Sequence, residues 1–137
     1  MAQALRALIV SKGNQMQVKE FSLSEEIANL LPAPKGYKIL VACPEIEETT
    51  EGGIIIAEEL RKKESTASII GMVIDMGDEC YTDNDKFPSG PYCQRGEWII
   101  FRSYSGTRIK IKGQEFRLIN DDTVEATVND PRSVERA

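Results

Sequence analysis

Thr107-Arg-Ile-Lys-Ile-Lys-Gly-Gln-Glu-Phe-Arg-Leu-Ile119 is the stretch that decides the fold. Over Thr107–Lys112 apolar and basic residues alternate. That places Ile109 and Ile111 on one face of a strand and Arg108, Lys110 and Lys112 on the other. Gly113-Gln114 reads as a tight turn into a second strand, Glu115–Ile119. Working outward, the same signature recurs. Tyr37-Lys-Ile-Leu-Val-Ala-Cys43 is bounded by Gly36 and Pro44, and Ile69–Met76 ends at Gly77-Asp78. Glu97–Arg102 follows Gly96, and Thr123–Val128 offers a last strand. Short strands separated by turn signals predict a mainly β domain, a small barrel or sandwich.

The chain's 137 residues make one domain, or one domain plus an arm. Its 17 Lys+Arg and 22 Asp+Glu give a formal charge of -5, which opposes a nucleic-acid backbone or an anionic membrane. Phe101, Arg102, Tyr104, Arg108, Lys110, Lys112, Phe116 and Arg117 interleave basic and aromatic residues as single-strand binders do. Against the global charge, they read as a charged outer face. The absence of histidine excludes imidazole bases, His-based triads and His metal sites. Neither G-x-x-x-x-G-K nor G-x-G-x-x-G occurs. Asp75, Asp78, Glu79, Asp83 and Asp85 lack the spacing of a calcium loop and read as a solvated acidic rim. No enzyme, cofactor or metal is expected. Cys43, Cys80 and Cys93 form no C-x-x-C pair. Cys43 reads as a core residue, whereas Cys80 and Cys93 flank a turn-rich stretch and are left open as to bonding. No apolar run is long enough to span a membrane, and the first ten residues are too interrupted for a signal peptide. A reducing, cytoplasmic setting is expected.

Residues 1–33 read as an N-terminal extension. Ser22-Leu-Ser-Glu25 predicts a capping box with the Ser22 hydroxyl as cap, opening a short helix along Leu23, Ile27, Leu30 and Leu31 that Pro32 stops. This helix either packs on its own domain or docks on a neighbouring copy. Residues 34–130 form the β domain, and 131–137 a polar, frayed tail. Two segments exceed a compact barrel. Residues 45–68 carry Ile54, Ile55 and Ile56 behind Gly52-Gly53, with acidic residues before them and a helical look over Ala57–Ser65 from Glu58–Lys62 and Glu59–Lys63 spacing. Residues 79–95, with Pro88-Ser-Gly-Pro91, read as a projecting hairpin or flap.

In order and spacing these features resemble the GroES-like co-chaperonin family (chaperonin-10). Gly36–Val41 stands where that family has its first core strand. Glu47-Glu-Thr-Thr-Glu-Gly-Gly-Ile-Ile-Ile56 looks like its mobile loop. Gly71–Gly77, Gly96–Phe101 and the strands from Tyr104 to Val128 follow in register. Lys86–Cys93 and Arg102–Gly106 are similar to homologues carried by bacteriophages. Residues 1–33 have no counterpart, and Ala57 stands where a Pro commonly follows the triplet.

The resemblance implies a GroES-like β-barrel and a heptameric ring that caps an ATP-driven chaperonin double ring and assists protein folding. Gly52, Gly53, Ile54, Ile55 and Ile56 would be the partner-binding loop. Ile39, Val41, Val124 and Val128 would lie at the subunit interface, the last strand pairing with a neighbour's first. The plain alternatives are a buried strand for the triplet and pairing within the chain for the interface residues. A second use of the same fold is a virion component, a capsid cement or neck protein whose partners are capsid proteins.

Overall fold

A computed structural model describes residues 23–44 and 57–137. Ahead of the sheet lies helix α1, Glu25–Leu30. Its N-cap is Ser24, whose Oγ accepts from the Ile27 N–H at 3.1 Å. This corrects the expected cap at Ser22, which lies outside the described residues. The N-cap is the residue immediately before the first helical one, and with α1 opening at Glu25 that residue is Ser24, whose Oγ reaches the N–H three positions on. Leu31 leaves the helix in extended geometry because Pro32 follows it.

Six strands form one antiparallel sheet: β1 Lys38–Ala42, β2 Ile70–Met76, β3 Trp98–Ile100, β4 Thr107–Ile111, β5 Gln114–Asn120 and β6 Ala126–Val128. Their order is β4-β5-β1-β2-β3-β6, so β4 and β6 are the ends and β1 and β2 the centre. Helix α2, Ala57–Ala67, precedes β2, and 3-10 turns at Asp121–Thr123 and Pro131–Ser133 flank β6. The turn between β4 and β5 is one residue earlier than the pattern suggested. Lys112 and Gly113 occupy it with φ of +52° and +83°, and Ile111 pairs with Gln114.

Both faces of the sheet are covered, in keeping with the period-2 alternation of β1. Leu40 and Ala42 join Ile70, Met72, Trp98 and Phe116 in one core cluster, which Leu23, Ile27 and Leu31 of the helical segment pack against. α1 therefore packs on its own domain. Ile39 and Val41 face the other way, among Val73, Ile99, Phe101 and Ile119. Between the two central strands the backbones run close: a methyl on Gly71 would overlap Val41 Cγ1. A β-bulge in β2 opposite Leu40 and Val41 shifts the register there.

Residues 79–95 hold no strand. They form successive turns folded back onto the second core rather than a projecting hairpin. Tyr81, Phe87 and Tyr92 make a three-ring cluster with centroids 4.9–5.4 Å apart. Tyr81 ties it down, its Oη donating to the Asp121 carbonyl at 2.7 Å while its N–H donates to the Asp121 carboxylate at 3.0 Å. The acidic rim is also reassigned in part. Asp75 is buried and paired with Arg95 at 2.8 Å, so it is a structural ion pair rather than a solvated acid. Cys43, Cys80 and Cys93 are all free thiols.

Candidate functional site

The five residues expected to bind a partner, Gly52, Gly53, Ile54, Ile55 and Ile56, lie outside the described residues. Their setting is built by the elements on either side. At the leading end, β1 runs out at Cys43. The Cys43 N–H donates to the Glu115 carbonyl at 3.1 Å, and the buried Gln114 side chain donates from Nε2 to the Cys43 carbonyl at 3.5 Å. The β4–β5 hairpin thus holds both backbone groups of the last residue before Pro44. Burial, reinforced by the neighbouring Glu115 charge, pushes the Cys43 thiol up to about 12, so it is a neutral core group and not a nucleophile.

At the trailing end stands α2, which begins on Glu58 and Glu59 and has no buried residue. Acidic side chains in a first turn complement the positive end of the helix dipole. Its last turn closes through Ser68, whose N–H donates to the Glu64 carbonyl at 3.1 Å and whose Oγ donates to the Ser65 carbonyl at 2.6 Å. The tail reaches this point. The Arg136 N–H donates to Thr66 Oγ1 at 3.1 Å and its Nη1 donates to Ser68 Oγ at 3.3 Å. The tail is therefore docked, not frayed. The anchoring roles of Gln114, read from the sequence only as a turn residue, and of Arg136 carry no sequence signal, since neither is apolar nor part of a motif. The signal for the tail was Val134, one aliphatic residue in a polar stretch.

The expected interface residues fall differently. β1 is paired on one side with β2 and on the other with β5. It has no free edge for a neighbour's strand, and Ile39 and Val41 are 0% exposed inside their own chain. Val124 is buried in the same core. Val128, half-buried, sits on end strand β6, where it pairs with Trp98. Of these four residues, Val128 alone sits on an end strand of the sheet that the described residues form.

Arg117 is the largest fully buried side chain, although alternation suggested an outward-facing charge. Its Nη1 donates to the carbonyls of Arg102, Ser103 and Ser105 at 3.5, 3.0 and 3.4 Å, and its guanidinium lies 4.9 Å from the Phe101 ring centroid. Burial lowers its pKa. The residue pins the β3–β4 turn, and its inward position removes one cation from the nucleic-acid-like row. A cleft of about 430 Å³ lies beneath the 79–95 turns, lined by Tyr37, Glu79, Asp83, Lys86, Phe87 and Asp121 among others. Most of its charges are engaged: Lys86 pairs with Asp122 at 2.7 Å, Asp83 accepts from the Asp85 and Lys86 N–H groups, and the Asp121 carboxylate accepts from the Tyr81 N–H. Among the described residues no helix is long and apolar enough to cross a membrane.

The family model described as the chaperonin 10 kDa subunit matches residues 33–128, which takes in all six strands and both flanks of 45–56. The chain belongs to the chaperonin-10 family. Similar proteins include the co-chaperonin GroES of Caldicellulosiruptor saccharolyticus, 33% identical over 97 residues, 71% of this chain and 96% of the relative. The co-chaperonin GroES of Lactobacillus acidophilus is 30% identical over 66% of this chain and 92% of its own. That of Corynebacterium diphtheriae is 28% identical over 74% and 98%. The function is that of a co-chaperonin. Residues 1–32 and 129–137 of this chaperonin-10 chain lie outside the family match.

Proposed function

We propose that this co-chaperonin forms a ring-shaped lid, heptameric as in its family, on an ATP-driven chaperonin double ring. In each copy Gly52, Gly53, Ile54, Ile55 and Ile56 are the docking element. The observation that supports the reading is the family match over residues 33–128, which runs through this aliphatic triplet. Nucleotide belongs to the partner, this chain has no catalysis of its own, and its place is the cytoplasm. The likeness to bacteriophage-carried homologues rests on Lys86–Cys93 and Arg102–Gly106. A virion role for the same fold is not favoured, since the relatives above are co-chaperonins.

The energetics suit a reversible lid. Burying three Ile side chains yields roughly 5–9 kcal/mol. Ordering about ten residues costs on the order of 10 kcal/mol, and new backbone hydrogen bonds offset part of that. One copy alone binds weakly, and several on one ring bind tightly by avidity. Weak single contacts let the lid leave when the partner changes state.

The test is co-sedimentation with a chaperonin double ring in ATP, in ADP and without nucleotide, with Ile55→Asp alongside. Nucleotide-dependent binding by wild type, lost in Ile55→Asp while native mass measurement still shows the same oligomer, is the expected result. A variant that loses its oligomer makes the triplet structural. Wild type that binds under no nucleotide sinks the lid reading.

A further inference from the structure

We propose that the C-terminal tail is a strap that positions α2, and through it the docking segment, with Val134 and Arg136 as positioning residues for partner binding. The proposal rests on the lid reading for its consequence and on the described geometry for the strap itself. α2 has eleven residues and none of them is buried. A helix of that length is marginal in water unless something packs on it. Its last turn contains no basic residue, although the free carbonyls there favour a cation.

The tail supplies what the helix lacks. Asp130 caps the 3-10 turn Pro131–Ser133, accepting from the Arg132 N–H at 3.0 Å, and so turns the chain back after β6. Val134 then packs against the core cluster that holds Trp98 and Met72. Two residues on, the Arg136 N–H meets Thr66 Oγ1 and the guanidinium meets Ser68 Oγ. Because Ser68 Oγ in turn donates to the Ser65 carbonyl, the guanidinium extends a chain of hydrogen bonds to the end of α2. These anchors join positions about seventy residues apart, and they lie past the last residue of the family match.

The consequence is a matter of span. With α2 fixed, the chain between Pro44 and Ala57 is residues 45–56, twelve in number. If α2 is released and unwinds, the span between fixed points becomes 45–68, about twice as long. The entropic cost of holding a span between fixed points grows with the logarithm of its length, so doubling it disfavours each engaged copy about 3-fold, and copies on one ring multiply the loss to at least the order of 10-fold.

The experiment uses the full-length oligomer, a truncation after Ser133, Arg136→Ala, Thr66→Val and Arg136→Lys, with Glu135→Ala as the control. Amide exchange over 57–68 is read by mass spectrometry, and chaperonin binding by titration in ATP. The truncation is expected to speed exchange over 57–68 at least 10-fold and to weaken binding on the order of 10-fold, with β1 and β2 unchanged. Arg136→Ala and Thr66→Val should shift both readouts the same way by less, Arg136→Lys should restore most of the protection, and Glu135→Ala should move neither. Unchanged exchange over 57–68 in all variants overturns the strap. Faster exchange with unchanged affinity overturns its role in partner binding. If wild type binds no chaperonin, the lid reading falls together with that role, and exchange alone judges the strap.

Discussion

Cys43 shows how one buried side chain couples the stability of the loop's anchor to pH. Its thiol is raised from 9.0 to about 12, first by burial and then by the Glu115 charge. Burial also raises Cys80, to about 11, and Cys93. In the unfolded chain these thiols ionise near 9, whereas the folded chain keeps them protonated. The folded state therefore binds more protons in this window, and stability falls as pH rises. The contribution is complete below about pH 9 and is lost progressively toward about pH 12. Urea midpoints should be level from pH 7 to 8.5 and decline from pH 9 to 10.5, with a shallower decline in Cys43→Ala. An equal slope in the variant would remove Cys43 from the account. Arg117 marks the limit of the sequence at this scale. Its alternation with Phe116 and Leu118 is that of any outward charge, and the three carbonyls that receive it come from a turn fourteen residues upstream. No local pattern encodes that meeting.

Among the elements, the β4–β5 hairpin is the most legible and still instructive in its error. Alternation located both strands, but the turn is Lys112-Gly113, a two-residue turn of the I′ kind with positive φ at both central positions. Gly113 is suited to this, while Lys112 at +52° is strained by a conformation that Asn tolerates better. Lys112→Asn gives the preferred Asn-Gly pair and should stabilise the chain by about 0.5–1 kcal/mol. It forfeits the exposed Lys112–Glu26 pair at 3.3 Å, which is worth little. A higher thermal midpoint with unchanged far-ultraviolet circular dichroism is the expected outcome, and a lower one would mean the Glu26 contact matters more than the turn. The helices were harder to place. The cap is Ser24 rather than Ser22 because α1 opens at Glu25, two residues later than the S-x-x-E pattern places it. The strand set, by contrast, was readable because central strands buried on both faces, such as β2, need near-continuous apolar residues.

At the scale of the whole molecule, the sheet that the described residues form leaves two end strands, and their chemistry differs. β4 presents exposed Arg108 and Lys110, the kind of charge that keeps an edge from pairing. β6 presents exposed Ala126 and Thr127 with half-buried Val128, and carries no charge. The proposed ring contact therefore belongs on β6. The register makes it testable at one atom. Phe101 N–H donates to the Ile69 carbonyl, so on β3 residues 99 and 101 bond toward β2, and Trp98 and Ile100 bond toward β6. Their partners Val128 and Ala126 accordingly use their backbone groups on β3, leaving those of Thr127 directed outward. Thr127→Pro removes an outward donor without touching the β3–β6 ladder, a substitution that edge strands tolerate. Native mass measurement should show the variant falling to monomer at concentrations where wild type is oligomeric, with the fluorescence of buried Trp98 unchanged. An intact oligomer would move the contact off β6 and onto another surface. Monomer with altered Trp98 emission would show the ladder itself was damaged, and Thr127→Lys, which places charge on the same edge while keeping the N–H, then decides whether β6 carries the ring.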